Sequence, residues 1–149
     1  MNEQQGMTLI VKTITRIILW MIFLYGIYII LHGHLTPGGG FGGGVIIALG
    51  FLSIMLAYGR SGVDEWLNIK FLHDLETSSV LLFLIVGILG IALGGAFLAN
   101  FINHGSLFHL LSAGTIPVLN ILIGIKVALS LFLVVIVLAH MHIGEGGQS

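Results

Sequence analysis

Apolar residues in this chain gather into four long blocks separated by short polar stretches, with no polar–apolar alternation of the kind a half-buried strand shows. The blocks lie at about 8–31, 42–58, 77–100 and 116–142. Each is close to the ~20 residues that a helix needs to cross a bilayer core. The pattern predicts an all-α integral membrane protein with four transmembrane helices, since helices satisfy their own backbone groups in lipid. Lys12 and Arg16 stand in the opening turns of the first block, where their stems can snorkel toward the headgroups. The second block is the shortest, so little tilt is expected of it. A polar connection at 59–76 holds Arg60, Asp64, Glu65, Lys70, Asp74 and Glu76, with Trp66 and Phe71 as interfacial aromatics. A linker with His104 and His109 precedes the last block. No internal repeat is present, and residues 1–149 read as a single membrane domain.

Orientation follows from the basic residues. Four spans put the N-terminus, the 59–76 connection and the C-terminus on one side. Lys12, Arg16, Arg60 and Lys70 all fall there, and neither opposite loop carries Lys or Arg. The positive-inside rule then places both termini in the cytoplasm, in a multi-pass protein of the cell membrane.

The stretch between the first two blocks reads H-G-H-L-T-P-G-G-G-F-G-G-G, from His32 to Gly44. Pro37 disfavours helical backbone at Thr36, so the first helix should end near Leu35. A tight reversal with almost no side-chain bulk is predicted. Small residues continue into the helices: Gly43, Gly50 and Ala57 recur at seven-residue spacing, with Ser53 nearby, and Gly87, Gly90 and Gly94 cluster on the third. In lipid, close backbone approach at such residues drives helix association. The glycine run is not a phosphate cradle, because no P-loop lysine follows it and no βαβ unit surrounds it.

Composition narrows the functional classes. With 57% hydrophobic and 7% charged residues, the chain lies far from soluble usage, where about 25% are charged. A net charge of −1 and the lack of a basic tract argue against nucleic acid as a partner. There is no cysteine, hence no thiolate metal site or iron–sulfur ligation in this chain. The length of the first apolar run and the lack of an A-x-A-like site argue against a cleaved signal peptide. No nucleophile triad, H-E-x-x-H or catalytic carboxylate pair is found. The expectation is a non-enzymatic chain without catalytic residues, metal or cofactor of its own.

Lys126 is the one charged residue in the apolar part of any predicted span. A charge there costs at least ~2.5–3.5 kcal/mol, and such residues face a bundle interior or a water path. At 100° per residue Ser130 and His140 share its face. Two readings stand: a polar ion track along the fourth helix, or a structural lysine paired to a neighbour. Because no carboxylate is expected in the interior, that neighbour would be another subunit or backbone carbonyls. Asp74, Glu76 and Thr77 read as the cap of the third helix, with Glu76 at its dipole end or at a cytoplasmic cation entrance. The pairs His32/His34, His104/His109 and His140/His142, with His73 alone, sit at membrane edges. Their i, i+2 or looser spacing does not favour metal binding, although proton relay is open to them.

Two motifs together resemble one family closely. G-H-L-T-P-G-G-G-F-G-G-G and S-A-G-T-I-P-V-L-N-I-L-I-G-I-K-V are similar to the MnhB subunit of Mrp/Mnh-type multisubunit sodium–proton antiporters, over about 13–139. In the first, Gly33, His34, Pro37, Gly38, Gly39, Gly40, Phe41, Gly43 and Gly44 match. In the second, Ser112, Ala113, Gly114, Thr115, Ile116, Pro117, Asn120, Gly124, Lys126 and Val127 match. Glu76 corresponds to an acidic residue at the start of the third helix. The resemblance implies a small four-helix subunit without a redox cofactor, surrounded by other Mrp-type membrane subunits. The same module occurs in archaeal membrane-bound hydrogenases and related sulfur-reducing complexes, beside nickel–iron and iron–sulfur chains. H-G-H-L-T-P in place of G-H-N-A-P points to that respiratory version, with a standalone antiporter and a purely structural assembly subunit as the alternatives.

Overall fold

A computed structural model describes residues 7–35, 37–66, 68–101 and 113–145, with backbone only for 60–66 and 140–145. The described chain is all-helical, and four of its helices are long and apolar enough to cross a membrane. They are α1 (Leu9–Leu31), α2 (Gly39–Trp66), α3 (Ile69–Gly94) and α4 (Ile116–Glu145). In space the order is α1, α2, α4, α3, so α2 and α4 are the inner pair. Phe132 of α4, 1% exposed, anchors the core with Leu129, Ile136 and Leu72, against Phe51, Ile54 and Met55 of α2. Aromatic rings link the layers, Phe23 to Phe51 at 5.2 Å and Phe51 to Phe132 at 5.1 Å. The outer faces of α1 and α3 expose Trp20, Leu24, Leu81 and Ile88, as lipid-facing or subunit-facing surfaces do.

The predicted boundaries are corrected at several helix ends. α1 ends at Leu31, where the apolar block 8–31 ends and short of the Leu35 expected from Pro37, with turns at 32–35 in which the Leu35 amide donates to the His32 carbonyl at 2.8 Å. α2 starts at Gly39, earlier than the predicted Gly42, because Gly38 (φ 119°) and Gly39 (φ 54°) take up the reversal themselves. The largest correction concerns α3. It begins at Ile69, capped by the Asn68 side chain, which accepts from the amides of Lys70 and Phe71. Asp74, Glu76 and Thr77 are therefore not its cap: Glu76 lies about two turns inside the helix. Hydropathy averaging makes 69–76 look like a loop because Lys70, Asp74 and Glu76 outweigh Leu72, which is turned inward onto Phe132.

At its other end α3 stops at Gly94, short of the predicted Asn100. Gly95 adopts the left-handed conformation (φ 77°) and the chain folds back. The Phe97 ring lies on Gly87, the Leu98 amide donates to the Gly87 carbonyl, and Ala99 covers Gly94. The glycines of α3 thus receive their own returning stretch of chain, not a neighbouring helix as expected. Asn100 then joins the ends of the linker, donating to the Ala113 carbonyl at 3.1 Å and accepting from the Thr115 amide at 3.0 Å. Pro117 falls in the first turn of α4, where a missing N–H costs nothing.

α2 is bent at Gly59 (φ 74°, ψ 174°), which marks where the span ends and the helix turns away. That backbone region is essentially reserved for glycine. Gly59→Ala is expected to destabilise the chain by ~1–3 kcal/mol, read as a lowered unfolding midpoint in detergent; an unchanged midpoint would mean that the bend is not a native constraint.

Candidate functional site

α3 and α4 run antiparallel, and where Glu76 passes Lys126 their polar residues meet. Lys126 Nζ lies 3.2 Å from Glu76 Oε1 and donates to Ser130 Oγ at 2.9 Å. The Ser130 hydroxyl donates to the same carboxylate oxygen at 3.0 Å. Ammonium, hydroxyl and carboxylate close a ring of charge-assisted contacts, the strong kind of hydrogen bond. On the other carboxylate oxygen, His73 Nδ1 approaches Glu76 Oε2 to 3.6 Å, and Thr77 Oγ1 lies 3.4 Å from that nitrogen. This overturns the expectation that the interior holds no carboxylate for Lys126. The partner is in the chain itself, hidden by the misplaced start of α3.

Exposure grades along this array. The His73 side chain is 72% exposed, Glu76 18% and Lys126 40%. Glu76 is therefore the covered centre, with a titratable group reaching the surface on either side. Lys126 opens onto a cleft between α3 and α4 lined by Ser79, Val80, Phe83, Leu122, Ile123 and Val127. Ser79, fully buried, donates to the Glu76 carbonyl at 2.6 Å and leaves room for α4 to approach. Chemically, the array can hold one proton or one cation against a carboxylate and exchange it along a short chain of hydrogen-bonding groups.

The glycine-rich reversal forms a second assembly. Asn120 of α4 is packed against it: a Cβ on Gly33 would meet Asn120 Nδ2, and one on Gly40 would collide with the Asn120 backbone carbonyl. One turn on, a Cβ on Gly44 would meet the Gly124 carbonyl at 2.7 Å and Val127 Cβ at 2.9 Å. Gly124 itself is filled by Ile30 of α1, and Gly43 and Gly50 face α1 at Gly26, Ile30 and Phe23. The two sequence motifs are thus the two sides of one seam, and Lys126 follows directly from it. His34 is half-buried, while Pro37 and Phe41 are exposed. Asn120 Nδ2 is buried with no hydrogen-bond partner among the described residues.

The structure brings Lys126, Ser130 and Glu76 together and keeps the glycine motif apart from them, in a packing position. The side chain of His140 lies outside the described residues, as do Thr36, His104, His109 and Ser112. Sequence reasoning missed the places of His73 and Ser79 in the array. Both stand three residues from Glu76, a relation visible only once 69–76 is taken as helix.

Residues 10–133 match a family described as a domain related to the MnhB subunit of Na+/H+ antiporter. The chain belongs to the MnhB family. Among MnhB relatives, a Na(+)/H(+) antiporter subunit of Bacillus subtilis is 34% identical over 100 residues, 67% of this chain and 69% of that one. An uncharacterized protein of Methanocaldococcus jannaschii is 44% identical over 108 residues, 68% of this chain but 41% of the relative, whose length it spans by less than half. A chain in the structure of the membrane-bound sulfane sulfur reductase, an archaeal respiratory membrane complex, superposes with a TM-score of 0.68 at 31% identity. That match covers 89% of this chain and 60% of the other. The resemblance carried by the two motifs and the MnhB family match agree.

Proposed function

We propose that this MnhB-type chain is a non-catalytic subunit of a multisubunit membrane complex that moves protons and a second cation, and that its α3–α4 ion pair lines or tunes the ion path. One observation carries the reading: Glu76 and Lys126 pair inside apolar spans, yet the lysine side chain stays 40% exposed toward a surface cleft. A cation at that depth does not face hydrocarbon without a cost of at least ~2.5–3.5 kcal/mol, so water or a polar neighbouring subunit covers the cleft. A protonated Lys126 neutralises Glu76 and repels a second cation. Transfer of its proton frees the carboxylate for one, and His73 offers a surface group through which protons reach Glu76.

Likeness to the sulfane sulfur reductase chain supports a place within a redox-driven respiratory complex, of the sulfur-reducing or hydrogenase kind, in the cell membrane with both termini cytoplasmic. Purification of intact assemblies from native membranes through a tag on this chain tests that placement. Iron–sulfur chains are expected to accompany it; antiporter-type chains alone would mean a standalone sodium–proton exchanger. A structural reading also has an observation in its favour, because Lys126, Ser130 and Glu76 satisfy one another without outside help. Glu76→Gln combined with Lys126→Met, which leaves no stranded charge, decides between the two in the intact complex. Loss of sodium-dependent proton movement in vesicles is expected, and unchanged movement would leave only the structural role.

A further inference from the structure

Far from the ion pair, at the opposite end of α1 from the glycine reversal, two cations converge on one aromatic ring. Lys12 and Arg16 are four residues apart and share a helical face. Arg16 Nη2 donates to the Tyr58 hydroxyl at 3.4 Å, and that hydroxyl donates to the Lys12 carbonyl at 3.5 Å. Lys12 Nζ lies 5.7 Å from the centre of the Tyr58 ring. Neither cation has a carboxylate partner among the described residues. The site is held at the α1–α2 junction, where the Met7 amide also donates to the Ala57 carbonyl at 3.0 Å.

Depth decides what these cations meet. From Lys12 to Leu31 the helical rise amounts to roughly 28 Å, close to the thickness of a hydrocarbon core, and Arg16 lies about 6 Å deeper than Lys12. Arg16 therefore starts below the polar boundary and reaches back to Tyr58, at the level of Lys12. Both charges arrive where lipid phosphates sit. A guanidinium fork matches phosphate oxygens bidentately, and an ammonium adds a second point of charge.

We propose that Lys12, Arg16 and Tyr58 form a binding site for the phosphate of an anionic lipid headgroup, whose acyl chains run down the exposed face of α1. Trp20 stands one turn beyond Arg16 on that face, 72% exposed, so it lies beside the tails of a lipid held there. This gives a direct reading. The only other tryptophan is Trp66, so the full chain carrying Trp66→Phe reports from Trp20 alone.

The experiment reconstitutes that chain in vesicles of mixed phosphatidylglycerol and phosphatidylcholine, with either lipid brominated in the upper part of its tails. Brominated phosphatidylglycerol is expected to quench Trp20 well beyond its bulk fraction, with an affinity advantage on the order of fivefold per cation. Lys12→Gln with Arg16→Gln is expected to remove the advantage while leaving quenching by brominated phosphatidylcholine unchanged, which shows the chain still embedded. The exchange Lys12→Arg with Arg16→Lys is expected to retain it. Equal quenching by both lipids, as Asp64 or Glu65 neutralising the site from within would produce, overturns the proposal. So does a preference that survives the double glutamine variant. Loss of the preference on adding inorganic phosphate at constant ionic strength would assign the site to the free anion and not to lipid.

Discussion

A chain carrying both Glu76→Gln and Lys126→Met is expected to assemble with its partners and still fail to support sodium-dependent proton movement. The single changes set up the comparison. Lys126→Met leaves Glu76, 18% exposed, with Ser130 and His73 but no fixed cation, and Glu76→Gln leaves an ammonium between two apolar spans. Breaking a covered pair from one side strands a charge and typically costs ~3–5 kcal/mol, whereas replacing both members by neutral groups is often harmless. Each single variant should therefore reduce the yield of intact complex, and the double variant should restore it. If the pair were only a structural clasp, transport would recover together with assembly. If the charges act on the moving ion, assembly recovers and transport remains lost. Vesicle assays on equal amounts of purified complex separate these outcomes, and recovered transport in the double variant would end the ion-path reading.

Four helices long and apolar enough to span a membrane, and the place of Lys126 inside one of them, were legible in the sequence, because bilayer thickness imposes a length and composition that hydropathy detects directly. Where the third helix began was not. An eight-residue stretch with Lys70, Asp74 and Glu76 averages to polar, although in three dimensions Lys70 and Asp74 lie on the exposed flank while Leu72 and Glu76, four residues apart, share the flank that faces α4. From that single error came the wrong cap, the missing carboxylate and the oversight of His73. The signal that corrects it is Asn68, a good N-cap immediately before apolar residues at helical spacing, with its side chain on the amides of Lys70 and Phe71. At the far end, 95–100 is apolar enough to pass as helix, and only the Gly94–Gly95 pair hints at a left-handed stop. The use of the glycine motifs was half legible. Spacing showed that Gly43 and Gly50 share a face, but not that Gly40 and Gly44 address Asn120 and Gly124, since nothing local to a helix says which neighbour it meets.

That seam gives the other large effect. Gly40→Ala and Gly42→Ala change neighbouring glycines of the same helix turn by the same single methyl group, so their intrinsic gain in helix propensity is equal. Their surroundings are opposite. A Cβ on Gly40 runs into the Asn120 backbone, both carbonyl oxygen and Cα, and backbone cannot rotate aside as a side chain can. A Cβ on Gly42 meets nothing within 4 Å. To accept the first, α4 must move off α2, opening the contacts of Gly44 with Gly124 and Val127 just below and drawing Lys126, two residues beyond Gly124, away from Glu76. Overpacking of this kind costs ~1–3 kcal/mol before such secondary losses. Gly40→Ala is thus expected to lower both the unfolding midpoint and the recovery of intact complex, with Gly42→Ala indistinguishable from the parent. Gly40→Leu should abolish assembly altogether. Equal behaviour of the two alanine variants would mean that α2 and α4 do not cross at Asn120, and the seam would have to be placed elsewhere.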